Sequence, residues 1–436
     1  MQLTERHIID RSDPRYQAID EAAFKSKNLY NATLYIVRQI FVFEGEYLNY
    51  NTMDRAMQKH EAYRELPTKV AQGVVKQVHE AWVSFFEACK EYRIHPEKFT
   101  GRPKLPGYKD KEKGRNLLVY NMQAISCSKK TLYRGLIKPS QLDIVVKTRQ
   151  IPKAIDQVRI APKKGYYVVE VVYERKEKQA EVNKEYIAGI DLGVNSLVAL
   201  ASNKPGMRPV VVNGRPVKSI NQYYNKRRAE LQKQLRHTGT TKRMERLTTK
   251  RNRRIEHYMH TTSKWIVDLL VKEGIGTLVI GKNDGWKNGI EIGKKNNQQF
   301  CFIPHAKLIE MLTYKAELVG IKVVLTEESY TSKASFLDRD KIPVYDPKRE
   351  KKPKFSGRRI KRGLYRAKDG RVIHADVQGA CNIVRKVAPD AFGSKGVEDG
   401  KLVLAPVVVH PGRNVILRRS QRGSSPTSGR DVCLSL

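Results

Sequence analysis

Cysteine is scarce in this sequence, and its spacing excludes two common ways of stabilising a fold. The five cysteines are odd in number and include no Cys-x-x-Cys pair; they are Cys89, Cys127, Cys301, Cys381 and Cys433. Such spacing supports neither a disulfide framework nor a zinc site. It is typical of a protein from a reducing compartment.

Long apolar runs are also missing. No stretch approaches the ~18 consecutive apolar residues that a membrane-spanning helix needs. The first residues, MQLTERHIIDRSDP, do not have the pattern of a signal peptide. We therefore expect a cytoplasmic protein without a membrane partner.

Acidic residues are few in comparison with basic ones. The 436 residues contain 83 Lys and Arg against 45 Asp and Glu, which gives a formal net charge of +38. A charge of this size exceeds what solubility requires and predicts a polyanionic partner. Because no membrane segment is found, nucleic acid is a better candidate than a membrane surface.

The first part of the chain combines helical and extended patterns. Apolar residues at three- and four-residue spacing predict amphipathic helices between about 16 and 92. A charged loop rich in Pro and Gly follows, and then alternating segments such as QVRIAPKKGYYVVEVVYER, in which Lys-Lys-Gly joins two strands. We predict a small β-barrel or sheet over 1–184 with a helical insertion at about 16–92.

The second part has the element order of an RNase H-like α/β domain. Three adjacent strands (YIAGID, LVALAS, PVVVNG) precede a basic helical region at about 219–262, and GTLVIG and IKVVLTEE then alternate with helices. We predict this domain over 185–395, with a basic loop at about 338–371. The tail, 396–436, is rich in Arg, Ser and Gly, and we expect it to have little fixed structure.

Two isolated acids mark the start and the end of this domain. Asp191 lies between apolar runs of the first strand, where an unsolvated charge is costly unless a cation is bound. Asp376, in HADVQGACNI, lies at the start of a helix whose small residues allow close packing on the sheet. An N-cap role would also explain Asp376.

The stretches GIDLGVNSLVALAS and ADVQGACNI resemble the first and third RuvC motifs of the TnpB nucleases encoded by insertion sequences, and of the related type V CRISPR effectors. The N-terminal layout, the basic helices and SYTSKASF before the third motif follow the same order, so the resemblance covers most of the chain.

The resemblance implies a RuvC nuclease domain and a β-barrel wedge domain that carries a helical recognition insertion. It implies an RNA-guided DNA endonuclease of a transposable element, with a guide RNA, double-stranded target DNA and two Mg²⁺ ions as partners. Two-metal hydrolysis needs acids from different elements around cations about 4 Å apart. No small-molecule substrate is expected, and the protein is expected in the prokaryotic cytoplasm, associated with the nucleoid through DNA.

The second motif departs from the family. Most relatives have Glu at the end of the strand that here reads GTLVIG, where this chain has Gly281. Either the enzyme is inactive or another acid replaces that Glu. The next strand ends in Glu327 and Glu328, and some relatives, including Fanzor proteins, resemble this arrangement with a displaced Glu three residues before Thr-Ser. We therefore predict Asp191, Glu328 and Asp376 as catalytic metal ligands.

Other interpretations of this motif stay open. Glu327 is the second candidate for the ligand and Asp284 a weaker one, and both glutamates could simply end a strand in solvent. An RNA-guided binding protein without cleavage, acting as a repressor or recruitment factor, is the alternative function. A guide-independent junction nuclease or strand transferase is a third.

A second departure concerns zinc. Typical relatives carry two Cys pairs between the second and third motifs. Here Ser335 and Asp338 stand at roughly the first pair of positions, and Arg366 and Asp369 at the second. No structural zinc is expected, so packing or nucleic acid must hold this segment.

Cations concentrate in two regions, and both are predicted to bind nucleic-acid phosphates. Between 226 and 254, twelve cations face two acids, which is too few for internal pairing. The first set is Lys226, Arg227, Arg228, Arg243, Arg246, Lys250, Arg251, Arg253 and Arg254; the second is Arg358, Arg359, Lys361 and Arg362. Tyr223, Tyr224 and Tyr258 flank the first set and are candidates for base stacking or for the core.

Overall fold

The protein is described by a computed structural model. The described residues are 1–125, 135–235, 239–283, 293–346, 353–393, 406–411 and 415–417. They divide into two compact units, Met1–Lys176 and Glu177–Leu436. This boundary falls a few residues before the predicted one, because the N–H groups of Lys178 and Ala180 already donate to the carbonyl oxygens of Leu318 and Val319 in the second unit.

The first unit consists of antiparallel strands and a group of helices. Its helices are α1 (Tyr16–Phe43), α2 (Tyr50–Met57), α3 (Glu61–Arg64) and α4 (Thr68–Ile94). Its strands are β1 (Gln2–Asp10), β2 (Leu118–Asn121), β3 (Leu136–Ile137), β4 (Val146–Lys147), β5 (Ile155–Lys163) and β6 (Tyr166–Glu174). The helices occupy the segment for which helical spacing predicted them.

Four of these strands form one antiparallel sheet in the order β1-β6-β5-β2. The predicted hairpin joins β5 to β6, and Gly165 has the positive φ of +82° that its tight turn requires. Strands β3 and β4 pair only with each other among the described strands. Strands β1 and β2 are the two edges of this sheet in the described residues, so the predicted β-barrel is not confirmed.

The second unit is an α/β domain. Its helices are α5 (Arg215–Lys233), α6 (Lys242–Lys272), α7 (Lys294–Cys301), α8 (His305–Glu317) and α9 (Ala375–Val387). Its strands are β7 (Asn183–Leu192), β8 (Ser196–Ser202), β9 (Val210–Asn213), β10 (Ile275–Gly281), β11 (Lys322–Thr326), β12 (Arg358–Lys361), β13 (Leu364–Arg366), β14 (Val372–His374), β15 (Val407–His410) and β16 (Val415–Leu417).

Seven strands form the main sheet in the order β11-β10-β7-β8-β9-β15-β16. Strands β7, β10 and β11 are parallel, while β8 is antiparallel to both of its neighbours. Apolar residues of α6 and α8 form the core on one face of the sheet, and α9 packs on the other. The α/β architecture predicted from the element order is therefore present.

Glycine allows α9 to approach the sheet closely. A Cβ atom added to Gly189 of β7 would lie 2.3 Å from the carbonyl oxygen of Ala380 in α9. A larger residue at 189 would separate the helix from the strand and displace the acids that each of them carries.

The tail and the basic loop both contain strands that composition did not predict. Val407–His410 pairs in parallel with β9 and antiparallel with Val415–Leu417, which corrects the expectation of little fixed structure for that part of the tail. In the basic loop, β12, β13 and β14 form a three-stranded antiparallel sheet. Its buried Tyr365 and Ile373 face the core of the domain, which stabilises strands despite their charged neighbours.

Across the described residues, no helix combines the length and the apolar character needed to cross a membrane.

Candidate active site and nucleic-acid surfaces

Asp191 lies near the carboxyl end of β7, one of three neighbouring parallel strands. Ile190 pairs with Ile280 of β10, so Asp191 follows at the level of Gly281, which in turn pairs with Thr326 of β11. Glu328 comes two residues after Thr326. Strand register therefore brings the first predicted acid and the relocated one to the same edge of the sheet.

The carboxylate of Glu328 occupies the space that a side chain at position 281 would enter. A Cβ atom added to Gly281 would lie 3.0 Å from Oε2 of Glu328 and 2.6 Å from Cδ1 of Ile383. Gly281 thus leaves room for an acid that arrives from the neighbouring strand. The missing side chain at position 281 therefore agrees sterically with the prediction that Glu328 takes the place of the acid.

Asn283, which the sequence did not single out, positions Glu328. The backbone N–H of Glu328 donates to Oδ1 of Asn283 at 2.9 Å, and Nδ2 of Asn283 lies 3.5 Å from Oε1 of Glu328. This pairing links the segments that follow β10 and β11. The weaker candidate Asp284 lies outside the described residues.

Asp376 lies in the first turn of α9 and does not cap it. The N-cap residue is His374, so the N-cap interpretation of Asp376 is wrong. Oδ2 of Asp376 accepts a hydrogen bond from Oγ of Ser196 at 2.7 Å, and Oδ1 accepts one from Nη2 of Arg359 at 3.3 Å. Residues of β8 and β12 therefore orient this acid.

Gly379 brings Asp191 and the helix that carries Asp376 together. A Cβ atom added to Gly379 would lie 2.5 Å from Oδ2 of Asp191. Any side chain at 379 would collide with the Asp191 carboxylate. The small residues noted in the sequence around Asp376 thus serve the acid site as well as helix packing.

The three acids interact electrostatically. Burial, followed by the negative charges of Glu328 and Asp376, raises the pKa of Asp191 well above its usual value, and the charge of Arg359 partly opposes this rise. Burial and the charge of Glu327 raise the pKa of Glu328 to about 7. Each shift shows that the ionised carboxylate is poorly compensated.

Glu327, the second candidate, has a different environment. It forms an ion pair with Lys386 and accepts a hydrogen bond from the backbone N–H of Ser329 at 2.8 Å. Although burial raises the pKa of Glu327, these hydrogen bonds hold it below its usual value. Because its charge is already compensated, Glu327 is the weaker of the two candidate ligands.

The metal prediction has chemical but not geometric support in this structure. Carboxylate oxygens are the ligands that Mg²⁺ prefers, and a cation would compensate the charges that raise the pKa of Asp191 and Glu328. Within the parts of the chain that the structure describes, however, no group of three or more His, Cys, Asp or Glu side chains could hold a metal ion as they are placed.

The predicted cations of α5 and α6 are largely available to a partner. Those that are exposed are Lys226, Arg228, Arg243, Arg246, Lys250 and Arg254. Arg227 pairs with Glu230 within α5, and Arg253 is half-buried. The exposed members keep the predicted phosphate-binding role.

Arg251 does not fit that prediction. Its Nε donates to Oδ1 of Asn221 at 2.8 Å, and its Nη2 donates to the carbonyl oxygen of Phe302 at 2.9 Å. The guanidinium also lies over the ring of Tyr224. Arg251 is half-buried and holds α5, α6 and the segment before α8 together, so its role is structural.

The structure separates the three tyrosines near this region. Tyr223 is 59% exposed and keeps its predicted availability for base stacking. Tyr224 and Tyr258 are buried, and the hydroxyl of Tyr258 donates to the carbonyl oxygen of Asn213. These two belong to the core, which was the other interpretation left open by the sequence.

The second cationic set lies on the sheet formed by β12–β14. Arg358, Lys361 and Arg362 are exposed there. Arg359 differs because its guanidinium also contacts Asp376, while Nη2 donates to the carbonyl oxygen of Arg362 at 2.7 Å. Sequence reasoning placed Arg359 on a phosphate-binding loop and missed its contact with the acid site.

Carboxylates hold the segment in which relatives carry zinc-binding cysteines. Oδ2 of Asp340 accepts hydrogen bonds from the backbone N–H groups of Ser335 at 2.8 Å and of Ser356 at 3.0 Å. Oδ2 of Asp338 accepts one from the N–H of Lys368 at 2.9 Å. The bonds from Ser356 and Lys368 reach acids 16 and 30 residues away along the chain, and they agree with packing, one of the two expected ways of holding this segment.

The sheet, its helices and the acids at one edge define an α/β domain with an acidic site. Two family models match parts of the chain: a probable transposase model, OrfB_IS605, over 170–287 and a Cas12f1-like TNB domain over 305–383.

Similar proteins agree with these models. The TnpB-like protein ORF457 of Acidianus two-tailed virus is 25% identical over 403 residues, covering 83% of this chain and 81% of that protein. The CRISPR-associated endodeoxyribonuclease Cas12f1 of Sulfoacidibacillus thermotolerans is 28% identical over 180 residues, covering 39% of this chain and 40% of that protein. A solved Cas12f1–sgRNA–target DNA complex aligns with a TM-score of 0.49 and 16% identity, covering 85% of this chain and 81% of that chain. The chain is thus a relative of TnpB-like proteins and of type V CRISPR effectors, as its motifs indicated.

Proposed function

We propose that this protein is an RNA-guided DNA endonuclease associated with a transposable element, and that Asp191, Glu328 and Asp376 form its catalytic acid set. The observation that carries the proposal is the position of Glu328, whose carboxylate fills the space next to Gly281. A chain that had merely lost its second-motif acid would have no reason to place another, half-buried carboxylate there.

In this proposal the three acids hold two Mg²⁺ ions, which would supply Lewis-acid stabilisation of the attacking and leaving oxygens of the phosphodiester. Asn283 fixes the backbone of Glu328, while Ser196 and Arg359 orient Asp376. Gly379 leaves room for Asp191 beside α9. The exposed cations of α5 and α6 bind nucleic-acid backbone without reading bases, so that sequence is read by guide pairing.

The relatives support the nucleic-acid partners of this proposal. One of them is a CRISPR-associated endodeoxyribonuclease, and the solved Cas12f1 complex contains sgRNA and target DNA. A net charge of +38 is suited to a partner of this kind.

A direct test measures cleavage of a radiolabelled target by the protein with its co-purified RNA and Mg²⁺. Glu328→Gln should abolish cutting and leave RNA and target binding nearly unchanged, whereas Glu327→Gln, the matched control, should still cut. Cutting by Glu328→Gln together with its loss in Glu327→Gln would move the ligand by one residue.

A nuclease-inactive RNA-guided DNA-binding protein is the second candidate. It is favoured by Gly281 and by the absence, within the described residues, of acids placed to hold a metal ion. Target binding without any cutting by the wild-type protein would establish it. Undiminished cutting after removal of the RNA would instead favour a guide-independent nuclease.

A further inference from the structure

The charged segment that follows α4 is not a loose connection. Residues 105–116 extend along α1 and are hydrogen-bonded to it at several levels. The N–H of Asn116 donates to the carbonyl oxygen of Ala23 at 3.0 Å. Asn31 and Lys109 exchange two hydrogen bonds of 2.9 Å between the Asn31 amide and the Lys109 backbone. The helix therefore fixes the path of this segment.

Some cations of the region serve this attachment. Lys27, buried in α1, donates to the carbonyl oxygen of Lys111 at 2.6 Å. Arg115 pairs with Asp20 of α1 at 2.6 Å and 3.0 Å. These groups are already compensated and are not available to a partner.

Other cations on the same segment remain exposed. Between 98 and 115, seven cations accompany only two acids. The carboxylate of Asp110 accepts hydrogen bonds from the N–H groups of Glu112 and Lys113, and its charge also interacts with Lys113 and with the buried Lys27. The side chains of Arg102, Lys104, Lys111 and Lys113 are exposed and are not part of the ion pairs found among the described residues.

An exposed aromatic ring lies in the middle of these cations. Tyr108 is 47% exposed, and the guanidinium of Arg38 lies 5.0 Å from its ring centroid. Nη1 of Arg38 also lies 3.4 Å from the carbonyl oxygen of Pro106, which fixes Arg38 beneath the segment. The ring is therefore held in place while still open to solvent.

We infer that residues 102–113 bind an unpaired stretch of the guide RNA, with a base stacked on Tyr108 and the backbone contacting Arg102, Lys104, Lys111 and Lys113. This inference rests on the proposed function, which supplies the RNA. A row of cations with an interspersed aromatic ring is suited to a single strand, because bases that are already paired cannot stack on a protein side chain.

The order of binding favours RNA over DNA. The surface is fixed by α1 in the free protein, so it needs no target to form. A guide RNA has unpaired loops and ends from the start, whereas target DNA becomes single-stranded only after the guide has paired with it. A preformed single-strand site therefore suits the partner that binds first.

Photo-crosslinking tests the site and the partner together. The full-length protein with its co-purified RNA is irradiated, and the crosslinked peptides are identified by mass spectrometry. We expect RNA attached to Tyr108 before any DNA is added. An RNA crosslink pattern that leaves 102–113 unmodified, or a crosslink that appears only to added target DNA, would overturn the inference.

Affinity for a labelled oligouridine of about 12 nucleotides gives a second readout on the RNA-free protein. Tyr108→Ala should weaken binding about 5- to 150-fold, as expected for one lost stacking contact. Tyr108→Phe should retain the affinity. The control is Phe43→Ala, which removes an exposed aromatic residue at the end of α1, outside the proposed site. Equal affinity of the Tyr108→Ala and wild-type proteins would contradict the stacking role.

The lysines are tested by salt dependence. Replacing Lys104, Lys111 and Lys113 together by Gln should reduce the slope of log affinity against log salt by about 2, since each single-strand phosphate contact contributes about 0.7. The matched control replaces the exposed Arg55, Lys59 and Lys69 of the same unit by Gln and should change the slope little. Equal slopes for the two triple variants would reject the site.

The proposed function and this inference fail in different ways. A wild-type protein that retains no RNA would refute the guide-dependent function itself. A wild-type protein that retains RNA and cuts its target, with Tyr108 variants that behave identically, would refute only the RNA site on this segment.

Discussion

Carboxylates in two regions of the second unit have opposite environments. At the edge of the main sheet, burial and neighbouring negative charges raise the pKa of Asp191 and Glu328. In the segment without zinc-binding cysteines, Asp338 and Asp340 instead accept hydrogen bonds from backbone N–H groups, those of Lys368 and Ser356 lying 30 and 16 residues away. The ionised carboxylate is thus destabilised where we propose chemistry, and it is hydrogen-bonded to the backbone where it holds the fold.

Arg359 tests the first of these environments with a large expected effect on cleavage. The guanidinium of Arg359 lies beside Asp376, and its positive charge lowers the pKa of Asp191. Arg359→Ala removes this cation. We expect target cleavage to fall about 10- to 100-fold, because Arg359 orients a proposed metal ligand.

The matched control is Arg358→Ala, which removes an exposed neighbour on the same strand. Cleavage by Arg358→Ala should fall much less, because this variant loses one phosphate contact and no contact with an acid of the site. A similar loss in both variants would indicate that Arg359 acts only through general attraction of DNA.

Asp340 tests the second environment. Asp340→Ala leaves the N–H groups of Ser335 and Ser356 without their acceptor, and we expect a loss of about 2 kcal/mol in folding stability. Thermal unfolding of the full-length protein measures it.

Asp369→Ala is the control, because Asp369 is exposed and bonds only locally to Arg371 in the contacts described.

A zinc chelator should leave the melting temperature of the wild-type protein unchanged. A large drop on chelation would show that a metal, and not Asp338 and Asp340, holds this segment.

The pKa of Glu328 predicts a small, pH-dependent effect on stability. A carboxyl group whose folded pKa is raised to about 7 contributes stability below its unfolded pKa, near 4.5, and loses it as the pH rises through 7. At pH 8 and without Mg²⁺, Glu328→Gln should therefore stabilise the protein by about 1 kcal/mol. The gain should vanish near pH 4.

Denaturant unfolding at the two pH values measures this difference, with Glu327→Gln as the control. Glu327 has a lowered pKa, so its replacement should destabilise the protein at pH 8. A Glu328→Gln variant that is less stable than wild type at pH 8 would mean that its carboxylate is compensated after all.

Much of the acid site could be predicted from the sequence, because its residues have distinctive patterns. Asp191 interrupts an apolar strand, and parallel neighbours place the end of β11 beside that of β10, which indicated Glu327 and Glu328. The resemblance to relatives with a displaced Glu then favoured Glu328. The contact of Arg359 with Asp376 could not be predicted in the same way. It depends on β12 pairing with β13 across a turn, and the surrounding charges and glycines hid those strands.

Other features depended on contacts that no local pattern records. The strand at Val407–His410 is short, and its pairing with β9 and with β16 stabilises it. Arg251 belongs to a basic run, yet its hydrogen bonds to Asn221 and Phe302 make it structural. Composition gives the net charge of such a run but not which of its members face inward.

The central claim is that Glu328 replaces the acid missing at position 281, and moving the acid back tests it most directly. Glu328→Ala should abolish cleavage and should also empty the space beside Gly281. Adding Gly281→Glu to that variant then places a carboxylate on β10, where the added Cβ atom requires the flexible end of Ile383 to shift.

The measurement is the cleavage rate of the double variant with guide RNA and Mg²⁺, compared with that of Glu328→Ala and of a Glu328→Ala, Gly281→Gln control. The account predicts that Gly281→Glu restores cutting and that Gly281→Gln does not. Wild-type cutting by Glu328→Ala alone would contradict it.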